Sequence, residues 1–220
     1  MARCPVLNTP FQQNDPDELL EVFDATGRPT GQARPRAAVH LSGEWHQAFH
    51  CWIVRRGGRE IVLQRRALTK DTCAGLWDAA AAGHWRFGEP PQDAAREIAE
   101  ELGLDISFRE LAYRGRERSS RRYANGLVDR EHHQVYVLEC DLPLNDYRPD
   151  PHEVMGVAAF ATSGLLALFA GRAAALEATE AVSVGIHGRL EDVPVVVERT
   201  DLVPYSIARL RRMLGRASKR

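Results

Sequence analysis

Gly83-His84-Trp85-Arg86-Phe87-Gly88-Glu89, followed by Arg96-Glu97-Ile98-Ala99-Glu100-Glu101-Leu102-Gly103-Leu104, decides how this chain is read. Glu97 and Glu100 are three residues apart, and Glu97 and Glu101 four, so all three carboxylates project from one side of a helix. Like charges at these spacings repel by roughly 0.2–0.5 kcal/mol per pair on an isolated helix. Two things offset that: Arg96, whose guanidinium fork orients carboxylates, and a divalent cation. An oxygen-only donor set favours Mg²⁺, Mn²⁺ or Ca²⁺ over zinc or copper. Mg²⁺ in particular takes few carboxylates and completes its shell with phosphate oxygens.

Outward from this run, Gln92 to Leu102 reads as a helix. Ala94, Ala95, Ile98, Ala99 and Leu102 form one apolar stripe at spacings of three and four. Gly103 stops it. Upstream, Glu18 to Asp24 reads as a strand, and Gln47–Arg55 with Ile61–Arg66 as a hairpin around Gly57-Gly58. Trp77 to Ala82 is a small-residue run that leads into Gly83. Downstream, strands are expected at Phe108–Gly115, His133–Cys140 and Val154–Phe160, a helix over Leu165–Leu176, and a hairpin from Val182–Arg189 and Val193–Arg199. Pro204–Arg216 reads as a basic C-terminal helix. Met1 to Asp17 reads as loosely ordered. Residues 18–220 then form a single domain.

At 220 residues a single core is stable without staples. The net charge of −1 gives no global argument for nucleic-acid or membrane binding. Cys4, Cys51, Cys73 and Cys140 contain no CxxC pair, which argues against a zinc module. No apolar leader and no spanning stretch is visible, so the expectation is a reduced, cytoplasmic protein.

The run resembles the signature of the Nudix hydrolase superfamily: glycine, five residues, glutamate, seven residues, then Arg-Glu-apolar-x-Glu-Glu-x-Gly-apolar. Gly83 and Glu89 fit, as do Arg96, Glu97, Ile98, Glu100, Glu101, Gly103 and Leu104; the spacer Pro90–Ala95 has six residues instead of seven. The resemblance implies an α/β/α sandwich around a mixed sheet, with a loop–helix–loop that holds divalent metal, Mg²⁺ or Mn²⁺, against a diphosphate linkage. It implies Glu97 and Glu101 as main metal ligands and Glu100 as a ligand or the general base. Arg96 would orient the glutamates, Gly83 would give the backbone close access to metal or phosphate, and Glu89 would support. Outside the run, Glu131 and Glu153 are candidates for an extra ligand or base, against the plainer reading of surface carboxylates.

A second resemblance, over roughly Leu19 to Phe160, is to the Nudix branch that includes type I isopentenyl-diphosphate isomerase. It rests on His50–Ile53, Leu63-Gln64-Arg65-Arg66, Gly75-Leu76-Trp77-Asp78 before Gly83-His84, and Arg130-Glu131-His132. That branch uses a cysteine just before the glycine–histidine pair and a second glutamate in a Glu-x-Glu motif. Here those positions hold Ala82 and His133. Alanine cannot transfer a proton. The expectation is therefore an isomerase-like scaffold with hydrolase chemistry: metal-dependent pyrophosphohydrolysis of a small nucleoside di- or triphosphate. An isomerase and a non-catalytic nucleotide sensor are the alternatives.

For substrate, Arg55, Arg65, Arg66 and Lys70 lie on or after the hairpin expected to wall the site. Arg65 and Arg66 are adjacent, so strand alternation sends at least one away. Trp45, Trp52, Trp77, Trp85 and Tyr123 are candidate stacking partners, with Trp52 and Trp77 read as core. The basic segment Arg114–Arg122 reads either as a loop closing over phosphates or as a solvated loop. The C-terminal arginines and lysine, from Arg209 to Arg220, read as surface charge.

Overall fold

The computed structural model describes residues 18–214. The chain runs β1 (Leu19–Phe23), β2 (Pro29–Pro35), α1 (Arg36–Ser42), β3 (Trp45–Arg55), β4 (Glu60–Arg66), β5 (Trp77–Ala79) and β6 (Ala81–His84) before α2 (Arg96–Leu102). Then come β7 (Ala112–Arg122), β8 (Val128–Glu139), β9 (Val154–Ala161), α3 (Thr162–Phe169), β10 (Ala175–Glu177), β11 (Glu180–Val184), β12 (Leu190–Asp192), β13 (Val196–Glu198) and α4 (Ile207–Leu214). Met1–Asp17, Arg216, Lys219 and Arg220 lie outside the described residues.

β3 organises the sheet. It pairs antiparallel with β4 and β6, and parallel with β8 from Trp45↔Arg130 to Val54↔Glu139. β9 joins β4 and β11 joins β9, both antiparallel, so the sheet is mixed, as expected.

Strand alternation splits β3 between two cores. Trp52 and Val54 pack with Leu165 and Leu168 of α3 and Leu210 and Met213 of α4. Phe49, Cys51 and Ile53 pack with Ile98 and Leu102 of α2. Helices therefore cover both faces, the α/β/α layering the sequence implies. Fully burying Ile98 and Leu102 contributes about 1.5–3 kcal/mol each. Gly103 ends α2 at φ 66°, and its amide donates to the Ala99 carbonyl.

Four expectations need correction. The helix expected over Leu165–Leu176 ends at Phe169, where the Ala170 and Gly171 amides close onto the Leu166 and Leu168 carbonyls; Ala175–Glu177 is a strand instead. Val193–Arg199 does not return on Val182–Arg189. β12 pairs β11, whereas β13 pairs β10. The strand expected from Phe108 begins at Ala112, because Phe108–Glu110 forms a 3₁₀ turn in a capping box with Ser107. Arg114–Arg122 is not a loop. It lies within β7, paired to β8 along its length. Its alternating arginines and serines suit a strand with one face turned outward.

Among the described residues no helix is long and apolar enough to cross a membrane.

Candidate active site

The even-numbered residues of β3 put Trp52 and Val54 in the core, and the same face carries His46, Ala48 and His50 nearer its start. This stretch floors a cavity of about 490 Å³ whose rim includes Glu97, Glu100 and Glu101 of α2, Ala82–His84 of β6, Glu131 of β8 and Tyr205.

The carboxylate helix reaches the cavity past Gly83. A β-carbon there would overlap the Glu97 carboxylate, so any larger residue would push Glu97 from its place against Arg96. Glu97 and Glu101 are buried, and the side chain of Glu100 is partly exposed. Arg96 ties the cluster together. Its Nη1 lies 2.5 Å from Glu97 and 2.7 Å from Glu100, and its Nε donates to Glu89 at 2.8 Å. The six-residue spacer therefore still brings Glu89 to Arg96. Glu89 also accepts from the Arg86 amide, pinning the loop. Glu101 accepts from the Gln64 amide at 2.8 Å and the Ala82 backbone amide at 2.9 Å. Burial pushes the Glu97 carboxyl up to about 8 despite Arg96, and it raises Glu101 despite Lys70. The fold thus buries carboxyl groups whose charged form desolvation disfavours, and a cation arriving there would favour that form. Those oxygen donors fit a hard divalent cation.

A second cluster sits beside the first. His40 (α1), His46 (β3) and His84 (β6) bring one ring nitrogen each within 4.8 Å of the others, and their ring centroids are 5.0 Å apart. Glu131 approaches His84 at 3.8 Å and His46 at 4.0 Å. Burial, reinforced by neighbouring positive groups, holds His40 at about 4 and His84 well below the usual histidine range; His46 is lowered by burial as well. Neutral imidazoles are the ligating form, and three of them with a carboxylate suit a borderline transition metal.

Glu131 is held from behind. Arg209 of α4 places Nη2 2.6 Å from His133 Nδ1, and His133 Nε2 lies 2.6 Å from Glu131 Oε2. A guanidinium only donates. Nδ1 must therefore accept, which leaves the proton on Nε2 to donate to Glu131. Burial lowers His133 and keeps it neutral. Burial would raise Glu131, but His133, donating to it, outweighs burial and holds the carboxylate ionised. His133 also stacks on His50 at 3.9 Å.

Of the residues expected to meet substrate, Arg66 and Lys70 line the cavity, ion-paired to Asp78 and Glu153. Arg65 does not. It points outward and donates to the Gly75 carbonyl. Arg55 does not either: it is buried away from the cavity and pairs with Glu180 at 2.6 Å. Glu153 lines the cavity, as does Tyr123 alone of the five aromatic candidates. Trp52 and Trp77 are core. Arg209, expected as surface charge, is buried.

The histidines, Asp129, Arg121, Arg209 and Tyr205 escaped the sequence reading. The signal available was alternation: His46 and His50 share one face of β3, and Glu131 and His133 one face of β8, which pairs with it in parallel.

A mixed sheet between helices, with a carboxylate helix at its edge beside Gly83, is the arrangement that the resemblance to the Nudix superfamily implies. Residues 44–180 match the NUDIX domain, and the chain belongs to that family. It is 30% identical to an uncharacterised Nudix hydrolase of Clostridium acetobutylicum over 86% of this chain and 91% of that protein. It is also 37% identical to an isopentenyl-diphosphate Delta-isomerase of Streptomyces griseus over 76% of this chain and 83% of the relative. A crystal structure from Deinococcus radiodurans shares the fold at TM-score 0.50 and 20% identity, covering 70% of this chain and 90% of that one.

Proposed function

We propose that this chain is a divalent-metal-dependent pyrophosphohydrolase acting on a small nucleoside di- or triphosphate in a reduced, cytoplasmic setting. The carrying observation is the convergence of Glu97, Glu100 and Glu101 on a cavity that Arg66, Lys70 and Arg121 also line. Glu97 and Glu101 would hold Mg²⁺ or Mn²⁺, which when bound neutralises phosphoryl charge and acidifies coordinated water. Glu100, partly exposed and tethered to Arg96, is placed to take the proton from attacking water. Arg96 keeps Glu97 and Glu100 in register. Gly83 leaves room for Glu97 to face the cavity. Arg66 and Lys70 supply donors for phosphate oxygens. Glu131, fixed by His133, serves the histidine end as a ligand.

Isomerisation of an alkene is disfavoured by two observations. By the resemblance, Ala82 falls where the isomerase branch uses its cysteine. The inner cavity is also lined by His50, Asp78, Asp129, Arg121 and Tyr205, which desolvate poorly against a hydrocarbon chain. A panel of nucleotides, dinucleotides, nucleotide sugars and isopentenyl diphosphate, assayed with Mg²⁺, separates the readings. Phosphate or nucleotide release supports hydrolysis. Isomer formation without release overturns it, and tight nucleotide binding without turnover identifies a sensor.

A further inference from the structure

Six cationic side chains line the cavity, and five carry carboxylate partners. Arg36 pairs with Asp71, Arg66 with Asp78, Lys70 with Glu153, Arg86 with Glu18 and Arg96 with Glu97. Arg121 has no carboxylate within ion-pairing distance among the described residues. Its contacts are soft: Nη1 lies 3.9 Å from Cys73 Sγ, Nη2 3.5 Å from the Pro204 carbonyl, and the guanidinium 5.6 Å from the Tyr205 ring. Its cross-strand neighbour in the β7–β8 register is Asp129, yet that carboxylate is turned to His46 at 3.6 Å. The Asp129 oxygen on that side accepts no hydrogen bond. A partly buried guanidinium with no carboxylate in direct contact has N–H donors left to offer a ligand. A planar fork of five N–H donors matches a phosphate geometrically. The Tyr123 hydroxyl, 3.6 Å from Cys73 Sγ, adds a donor beside it.

We propose that Arg121, with the Tyr123 hydroxyl, forms a second anion subsite. It takes phosphate oxygens of the substrate that the negatively charged carboxylate helix cannot itself hold. The inference rests on the hydrolase reading for its catalytic meaning, but the subsite is testable without turnover. The carboxylate helix fixes where the anhydride is cleaved. Arg121, rising from β7, fixes which phosphate-bearing portion can sit opposite it.

The test is calorimetric titration of the full, EDTA-treated chain with inorganic pyrophosphate. The variants are Arg121→Gln, Arg121→Lys and Tyr123→Phe. Arg116→Gln is the control on the same strand, since Arg116 only bonds the Thr26 and Gly27 carbonyls. Charge-assisted hydrogen bonds predict about 10- to 100-fold weaker binding for Arg121→Gln. The lysine variant should retain part of the affinity, Tyr123→Phe should lose less, and the control should match wild type. In steady state, Arg121→Gln should raise KM with kcat near wild type. Wild-type and Arg121→Gln chains binding pyrophosphate equally, or an equal loss in Arg116→Gln, would overturn the subsite. A wild-type chain that cleaves no anhydride would overturn the hydrolase reading, and the pyrophosphate titration would still decide the role of Arg121.

Discussion

The carboxylate end and the histidine end of the cavity are built in opposite ways. Glu97, Glu100 and Glu101 come from five consecutive residues of one helix. His40, His46, His84 and Glu131 come from four elements and meet only when β3, β6 and β8 pair. Burial acts on both ends but with opposite results, because it disfavours charge whatever its sign. It pushes the Glu97 and Glu101 carboxyls up and the imidazoles of His40, His46 and His84 down. The histidine end is thereby left in its ligating form, whereas Glu97, raised to about 8, must give up a proton when a cation arrives. On the proposed reading, one end is preset for metal and the other is switched by it.

The largest predicted effect tests the helix. Glu101→Gln keeps the hydrogen-bonding shape but removes the charge, and kcat should fall on the order of 10³-fold or more with an unchanged circular dichroism spectrum; general-base loss at Glu100→Gln spans about 10²–10⁴-fold. Full activity in either variant would remove the helix from the chemistry. The histidine end should respond differently. His133→Ala frees Glu131 from its one hydrogen-bonding side chain among the described residues, so Mn²⁺ or Zn²⁺ affinity measured by competition with a chelating dye should drop about 10- to 100-fold. Mg²⁺ binding at the carboxylate end should hold within a few-fold, about 1 kcal/mol. Equal losses at both ends would make them one site.

A third prediction concerns pH. Glu97 binds its proton more tightly in the folded chain than in the unfolded one, where it titrates near 4.5. Stability of the metal-free protein should therefore be full below about pH 4.5 for this group and decline as pH rises toward 8. The loss is on the order of a few kcal/mol. Thermal melts with EDTA from pH 5 to 8 should show that slope, shallower in Glu97→Gln. An unchanged slope in the variant would assign the decline elsewhere. The smallest effect separates two neighbours on β4. Arg66→Gln should raise KM about tenfold, one charge-assisted contact. Arg65→Gln, pointing out of the cavity, should leave KM unchanged.

The same contrast explains what the sequence revealed. The helix, its glycine stop and its arginine were legible because helical spacing carries them within one stretch. Glu89 was legible despite its short spacer, since the loop closes on Arg96 rather than on a count of residues. The layered mixed sheet followed from the resemblance and from the alternation in β3 and β4. The histidine cluster was not legible, because no short-range pattern joins positions 40, 46, 84 and 131. α1 and β2 were also unread: α1 buries Arg36 and His40 while exposing Leu41, and β2 is largely exposed, so neither carries a readable apolar period. Arg65 and Arg66 show the limit of local inference. Alternation says that one of them faces in, but only pairing with β9 and β5 says which. Arg209 was misread because charge density in a terminal helix says nothing about the one position that turns toward the sheet.

The most direct test of the central claim is Mg²⁺-dependent cleavage of a phosphoanhydride by the intact chain, followed as release of phosphate or nucleotide across the substrate panel. The account predicts release that requires Mg²⁺ or Mn²⁺, is abolished by EDTA and is lost in Glu101→Gln. Metal-independent release, no release from any phosphoanhydride, or isomerisation of isopentenyl diphosphate as the only turnover would contradict it.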